Sequence, residues 1–336
     1  MKYRRIRVMG IILLIIVAII LIAAMVFAIV DKGNHKIYLL ALGNKSQMIF
    51  QEEYDSENID NISAVASSSN VEVRESNTDK IKVTAYGDRE EKLGLNLENN
   101  TLTIQKERNT IYIFSFFAWY EDKLIIEIPK DYVGQLQVET KSGNAKVSSF
   151  EQVNAKIETS SGKINCQDVK NANLKSSSGN ITLENGNEVT LKTTSGNIVA
   201  NHIQTADIQT SSGNVKISEL KQGTIKTTSG KIEVGNVEKI QLQTNSGNIK
   251  IDEVSESCQL SATSGSIKIQ KCQLYQNSYI SAKSGNVYIG DINDVYIDTK
   301  TSSGSVEIQK NDRKAEVELH IETTSGNIKV KNNENL

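Results

Sequence analysis

The stretch KTTSGNIVANHIQTADIQTSSGNVKI, Lys192–Ile217, contains two closely similar segments, TTSGNI and TSSGNV, 17 residues apart. Ser-Gly occurs eleven times in such phrases, with 17 residues between successive glycines from Gly162 to Gly247 and 18 to 22 elsewhere. The glycines are Gly143, Gly162, Gly179, Gly196, Gly213, Gly230, Gly247, Gly265, Gly285, Gly304 and Gly326. A near-constant period over such a length is typical of proteins in which each repeat stacks on its neighbours.

Within a repeat, apolar and polar residues alternate. Ile208 and Thr210 before Gly213, and the apolar residues Val215 and Ile217 after it, take alternate positions, and polar residues lie between them. Alternation of this kind predicts strands with one buried face. One repeat is too thin to bury that face alone. The sequence therefore predicts an all-β, single-stranded β-solenoid, similar to a parallel β-helix, of about eleven coils of 17 to 22 residues.

The repeat glycines are predicted to be turn residues. A sharp turn between strands often needs positive φ, which glycine adopts without a Cβ clash, and the preceding serine can bond the backbone locally. The competing interpretation is a meander of antiparallel hairpins with Ser-Gly loops, but two-residue hairpins prefer Asn-Gly or Asp-Gly. A further apolar residue seven after the glycine in six of the repeats, such as Ile203 or Leu220, indicates another bend and favours the solenoid.

The amino terminus has a different composition. MKYRRIR is basic, and residues 8–30 form an uncharged, apolar run of 23 residues. Such a run is long enough to cross a bilayer as a helix, and the basic flank predicts a cytoplasmic amino terminus. A cleaved signal peptide is the alternative, although its apolar region is usually shorter. We therefore predict a single-pass cell-membrane protein with an extracellular carboxyl-terminal domain.

Charge and periodicity divide the remaining chain. Residues 31–135 carry an excess of acidic side chains and are irregular, whereas the later part is balanced and periodic. The predicted segments are a cytoplasmic tail (1–7), a transmembrane helix (8–30), a juxtamembrane linker (31–58), an N-terminal β cap region (59–135), the solenoid (136–331) and a tail (332–336).

One aromatic stretch interrupts the polar sequence, IYIFSFFAWY at residues 111–120. Solenoid ends expose their core unless they are covered, so this stretch is predicted to cap the first coil. The alternative is contact of Phe116, Phe117 and Trp119 with the membrane or a partner, because aromatic side chains suit interfaces.

Sequence patterns of catalytic and metal sites are not found. The three cysteines, Cys166, Cys258 and Cys272, take inward apolar positions, so neither a disulfide framework nor a metal site is indicated. The three histidines do not fall in a known catalytic spacing. We predict no cofactor and no enzymatic activity. The net charge of −2 gives no indication of nucleic-acid binding.

The tandem motifs TSGNI, SSGNV and SSGNI, behind a basic terminus and an apolar segment, resemble the candidate-adhesin β-strand-repeat family of Gram-positive bacteria. That family, a domain of unknown function, includes LiaG-like proteins linked to cell-envelope stress. The resemblance covers residues 59–331, although SSSNVEV at residues 67–73 lacks the glycine. It implies a place in the cell envelope and a role in adhesion, and it carries no site residues.

These observations predict a membrane-anchored surface module that binds the cell envelope in the manner of an adhesin. Asn180, Asn197 and Asn214, each following a repeat glycine, would form a polar row that could bind a repetitive cell-wall polymer. The competing interpretation is that asparagine only suits the turn. The alternative function is an accessory or regulatory protein of an envelope stress response that acts through a membrane-protein partner. A glycan-active enzyme is a minor alternative.

Overall fold

The structure is a computed structural model. It describes the backbone of residues 17–18, 36–41, 47–87, 92–107, 110–115 and 122–331, and the side chains of the same residues except 36–41, 92 and 110–115.

The described chain is almost entirely β-strand, as predicted. The first strands are β1 (Lys36–Ala41), β2 (Gln47–Asp55), β3 (Asn61–Ala66), β4 (Asn70–Ser76), β5 (Lys80–Gly87), β6 (Lys92–Glu98), β7 (Thr101–Glu107), β8 (Thr110–Ser115), β9 (Lys123–Pro129), β10 (Gly134–Thr140), β11 (Ala145–Val147) and β12 (Phe150–Thr159). The others are β13 (Ile164–Ser176), β14 (Ile181–Thr193), β15 (Ile198–Thr210), β16 (Val215–Thr227), β17 (Ile232–Thr244), β18 (Ile249–Ala262), β19 (Ile267–Cys272), β20 (Ser278–Ser284), β21 (Val287–Ile292), β22 (Tyr296–Ser303), β23 (Val306–Ile308), β24 (Glu318–Ser325) and β25 (Ile328–Val330). A 3₁₀ helix, Ser56–Asn58, follows β2.

The central strands pair in parallel with the strand one repeat away. Ile181 of β14 lies opposite Ile198 of β15, which lies opposite Val215 of β16. The same parallel pairing joins β13 through β18, with one register shift between Val237 and Lys239 in β17. The predicted solenoid is confirmed, and the alternative of antiparallel hairpins is wrong for these repeats.

Stacking places similar side chains above one another in the core. The position two after each glycine is buried in every central coil, with Ile181, Ile198 and Ile232 each 0% exposed. Burying one such side chain contributes about 1.5–3 kcal/mol. Since each coil offers only a few of them, the solenoid gains its stability from contacts between neighbouring coils.

At the amino-terminal end the coils are not stacked in chain order. The coil of β3 and β4 lies between the coil of β10 and β11 and that of β7 and β9. β9 and β7 also pair antiparallel with β5 and β6, which therefore cover the edges of the outermost coil. The ladder thus continues across residue 136, where sequence analysis placed a domain boundary.

Part of the predicted juxtamembrane linker, 31–58, is β-strand. β2 pairs antiparallel with β5, and its Phe50 and Tyr54 pack against the solenoid core. β1 pairs in parallel with β8 in a separate two-stranded sheet. These strands pair with residues 80–87 and 110–115, which are distant in sequence, so local composition did not reveal them.

The carboxyl-terminal coils are also out of chain order. β24 pairs with β20 on one side and β22 on the other, so the coil of β24 and β25 lies inside that of β22 and β23. Val306 of this last coil is 43% exposed, whereas the equivalent Val287 is 1% exposed. The Asn311 side chain covers part of the edge by bonding both the N–H and the carbonyl of Ile297, each at 2.9 Å.

The predicted transmembrane segment, residues 8–30, lies outside the described residues apart from positions 17 and 18. Within the described residues, no helix has the length and apolar character that a membrane span requires.

Candidate functional site

The repeat glycines form one column along the solenoid, and the reason for glycine is a close approach between coils. A Cβ built on Gly213 would lie 1.7 Å from the carbonyl oxygen of Gly196 in the preceding coil. Comparable clashes, at 1.7 to 2.1 Å, occur at all eleven repeat glycines. The predicted positive φ is wrong at ten of them, since only Gly304, with φ of 151°, lies in that range.

A buried column of threonine or serine lies beside the glycine column. From Gly143 to Gly247, the hydroxyl three residues before the glycine accepts a hydrogen bond from the glycine N–H, as Thr193 does from Gly196 at 3.1 Å. The Thr193 hydroxyl also donates to the Gly179 carbonyl one coil away, at 3.3 Å. The corner bond predicted for the serine that precedes glycine is therefore made by this column. The hydroxyls of Thr140, Thr159, Ser176 and Thr193 also bond the neighbouring coil.

The asparagines after the glycines have a structural role. The Asn180 side-chain oxygen accepts a bond from the Asn197 N–H, and Asn197 does the same for Asn214, both at 2.9 Å. Asn214 then binds the Lys231 N–H at 2.9 Å. The interpretation that asparagine suits the turn explains this row, because each amide oxygen already satisfies a backbone donor of the next coil.

The asparagine row gives a stability prediction at Lys231, which stands where most other coils have asparagine. The lysine side chain offers no oxygen to the Asn248 N–H, and its ion pair with Glu233 is exposed and therefore weak. Lys231→Asn is expected to raise the free energy of unfolding by about 0.5–1.5 kcal/mol. The measurement is thermal unfolding of the unmodified protein, of Lys231→Asn and of the control Lys231→Gln, which removes the same charge. Equal midpoints for the two variants would contradict the role of the asparagine oxygen.

A polar groove runs along the solenoid over seven coils, with a volume of about 710 Å³. Its floor is the threonine column. One wall is the row four residues before each glycine: Glu139, Glu158, Lys175, Lys192, Gln209, Lys226 and Gln243. The other wall is the row two residues before each glycine: Lys141, Ser160, Ser177, Thr194, Ser211, Thr228 and Asn245. Each of the seven coils therefore contributes a polar or charged side chain to both walls.

The charges of the polar groove are unevenly distributed. Glu139 and Glu158 lie opposite each other in register at the amino-terminal end, a pair of carboxylates that sequence analysis did not find. Glu158 contacts Lys175 at 3.3 Å. From Lys175 onward the first wall holds lysine or glutamine, and Lys192 reaches Asp207, outside the walls, at 3.6 Å. These half-exposed ion pairs are weak, so the lysines can exchange them for a ligand.

Two further depressions, of about 650 and 500 Å³, lie along another column of the solenoid. Their base is formed by small side chains such as Ala155, Ala172, Ala206 and Gly223, which explains why the surface is hollow there. Charged side chains do not recur coil after coil in their linings, so the polar groove is the better candidate site.

Two polar clusters were missed in the sequence because their residues are distant along the chain and meet only where coils stack. His320 contacts Asp298 at 2.6 Å and stacks on Tyr279 with ring centroids 5.5 Å apart. Asp298, Glu318 and His320 together place three potential metal-ligand atoms within 4.8 Å of one another. The second cluster comprises Ser69, Lys106 and Asp122 and is buried in the outermost coils. The missing glycine in SSSN was the only sequence sign of it.

The remaining residues singled out in the sequence are three aromatic residues and the three cysteines. Phe116, Phe117 and Trp119 lie outside the described residues. Cys166, Cys258 and Cys272 are buried free thiols, as predicted. Burial, helped by the charge of Asp168, raises the pKa of Cys166 to about 12, so this thiol stays protonated and unreactive at neutral pH.

Comparison with known proteins identifies relatives of this arrangement. The family model described as Toastrack DUF4097 matches residues 59–236 and 186–331. No curated protein matches. Solved structures that are similar include a candidate adhesin from Parabacteroides distasonis, at 12% identity over 88% of this chain and 100% of that chain, with a TM-score of 0.40. A candidate adhesin from Bacteroides fragilis has 12% identity, coverage of 87% and 100%, and a TM-score of 0.31. A candidate lipid-binding protein from Parabacteroides distasonis has 17% identity, coverage of 88% and 100%, and a TM-score of 0.31.

Proposed function

This chain belongs to the Toastrack DUF4097 family, and we propose that it is a surface module that binds an extended anionic polymer of the cell envelope along its polar groove. The observation that carries the proposal is the repetition of both groove walls over seven coils. Successive strands lie ~4.8 Å apart, so the six steps between these coils span about 29 Å. A polymer lying along the groove would meet a polar or charged side chain on both walls at every step.

The chemistry of the walls supports a polymer that carries both hydroxyl and acidic groups. Serine, threonine and glutamine side chains can exchange hydrogen bonds with sugar or polyol hydroxyls. Lys175, Lys192 and Lys226 can pair with phosphate or carboxylate groups. Each contact is weak because the groove is open to water. Affinity would therefore come from many contacts made at once.

The apolar run at residues 8–30 supports the location that we propose, with the solenoid outside the cell and anchored by one helix. Protease added to cells stripped of their wall would then digest the solenoid. A solenoid that stays intact until the membrane is opened with detergent would contradict this orientation.

The groove lysines provide the test of polymer binding. Replacing Lys175, Lys192 and Lys226 together with Gln is expected to weaken binding of purified full-length protein to anionic wall polymer by roughly tenfold or more, because three charge contacts are lost. Binding by the unmodified protein should also weaken as salt is raised. The measurement is co-sedimentation with purified wall polymer over a range of salt concentrations.

A matched control is available on another face. Lys216, Lys250 and Lys268 occupy one column, three residues after the glycines, and their replacement with Gln gives the same change of charge. This control should bind as the unmodified protein does. Equal loss of binding in the two triple variants would mean that net charge, rather than the polar groove, attracts the polymer.

A further inference from the structure

A buried charged cluster takes the place of the glycine column at its amino-terminal end. Ser69 occupies the position of a repeat glycine, since a Cβ on Gly143 would contact the Ser69 carbonyl oxygen just as other repeat glycines contact the preceding glycine. Lys106 is 1% exposed, Ser69 2% and Asp122 8%. A lysine and an aspartate are thus held together where almost no water reaches them.

The three side chains contact one another, and the Ser68 hydroxyl also donates to Asp122 Oδ2, at 3.4 Å. The Lys106 Nζ contacts Asp122 Oδ1 directly and donates a hydrogen bond to Ser69 Oγ at 2.9 Å. The Ser69 hydroxyl in turn donates to the same Asp122 Oδ1. The amine nitrogen therefore lies beside the carboxyl carbon of Asp122, and one hydroxyl connects the two groups.

We propose that Lys106 and Asp122 become joined by an intramolecular amide bond between Nζ and Cγ. Burial favours the reaction because it disfavours the separated charges of the ion pair. The fold also holds amine and carboxyl in contact, which replaces an encounter in solution with a reaction inside one molecule.

The step balances without any further reactant. Ser69 Oγ accepts a proton from the Lys106 ammonium and passes its own proton to the Asp122 carboxylate, which leaves a neutral amine and a carboxylic acid. The Nζ lone pair then attacks Cγ, and the N–C bond forms. The hydroxyl of the acid departs with a proton from the nitrogen as one water molecule. No atom is oxidised or reduced.

The position of the bond gives it a structural consequence. Lys106 lies in β7, and Asp122 directly precedes β9, so the two residues belong to the two strands of the outermost coil. Repeat proteins open most easily at their ends, where a coil has neighbours on one side only. An amide at this point would fasten the outermost coil.

The experiment is peptide mapping by mass spectrometry of purified full-length protein after trypsin digestion. The expected product is the peptide 93–108 joined to the peptide 109–123, lighter than their sum by one water molecule and uncleaved after Lys106. Lys106→Arg removes the nucleophile and should yield only separate peptides. Separate peptides from the unmodified protein, fresh and after prolonged incubation, would overturn the proposal.

Ser69→Gly tests the positioning role of the hydroxyl. Glycine is the residue at the equivalent place in the other coils, so this variant should fold, which circular dichroism checks. The fraction of joined peptide at a fixed time after synthesis is expected to fall at least tenfold. Joined peptide at the level of the unmodified protein would overturn the proton transfer through Ser69. The comparison with Lys106→Arg tests the amide bond independently of the result for Ser69→Gly.

Discussion

Replacement of Gly213 with alanine is expected to lower the free energy of unfolding by about 3 kcal/mol, the upper end of the usual cost of overpacking. The added Cβ would lie 1.7 Å from the Gly196 carbonyl oxygen and 2.6 Å from its carbon. Both are backbone atoms of the neighbouring coil and cannot rotate away. Relief therefore requires the two coils to separate, which weakens the hydrogen bonds and core contacts between them.

The matched control is Gly94→Ala in β6. A Cβ there would meet nothing closer than 3.9 Å, and φ at Gly94 is not in the positive range. This variant should unfold at the midpoint of the unmodified protein or slightly above it, because alanine restricts the unfolded chain. Thermal and urea unfolding of both variants provide the measurement. An unchanged midpoint for Gly213→Ala would contradict the close approach of the coils.

Thr193→Val is expected to lower the free energy of unfolding by about 1–3 kcal/mol, because it leaves a buried donor without a partner. Valine has nearly the shape of threonine but cannot accept the bond from the Gly196 N–H or donate to the Gly179 carbonyl. Both groups lie in the buried corner between coils. The loss should appear as a lower unfolding midpoint.

Thr193→Ser is the control for this prediction. Serine naturally occupies the same place at Ser176, where its hydroxyl accepts from Gly179 N–H at 2.8 Å and donates to the Gly162 carbonyl at 3.3 Å. The serine variant should therefore lose much less stability than the valine variant. Equal losses would mean that the methyl group, rather than the hydroxyl, is what the corner needs.

The repeat allowed the coil and its core to be predicted from sequence, but the role of the glycine was predicted wrongly. The positions of the buried residues and the period of the coil follow from the alternation of apolar and polar residues around, for example, Ile198 and Val215. The reason for Gly213 lies in its distance to Gly196, a contact between coils that local turn chemistry does not contain. The sequence therefore identified the residue without identifying the force that requires it.

The order of the terminal coils could not be predicted, because the last repeats carry similar patterns and fit beside one another in more than one order. Chain order would place residues 296–308 next to residues 278–292, yet residues 318–330 lie between them. The stacking of His320 on Tyr279 depends on that arrangement. The Lys106 cluster likewise depends on the coil of β7 and β9 lying outside that of β3 and β4.

The polar groove was only partly predictable. Its rows could be read as outward positions of the repeat, and Lys175, Lys192 and Lys226 are visible in the sequence at one phase. The sequence drew attention instead to the asparagines after the glycines, which bond the backbone of the next coil. Which outward row borders a groove depends on where the coil bends, and that is a property of the folded stack.

The central claim, that one ligand chain lies along the polar groove, is tested most directly by affinity as a function of ligand length. The measurement is isothermal titration of full-length protein with anionic wall-polymer fragments of defined length. We expect affinity to rise steeply with fragment length up to about 29 Å, the span of seven coils at ~4.8 Å per step, and then to level off. Affinity that is the same for the shortest fragments and for fragments spanning the groove would contradict binding along it.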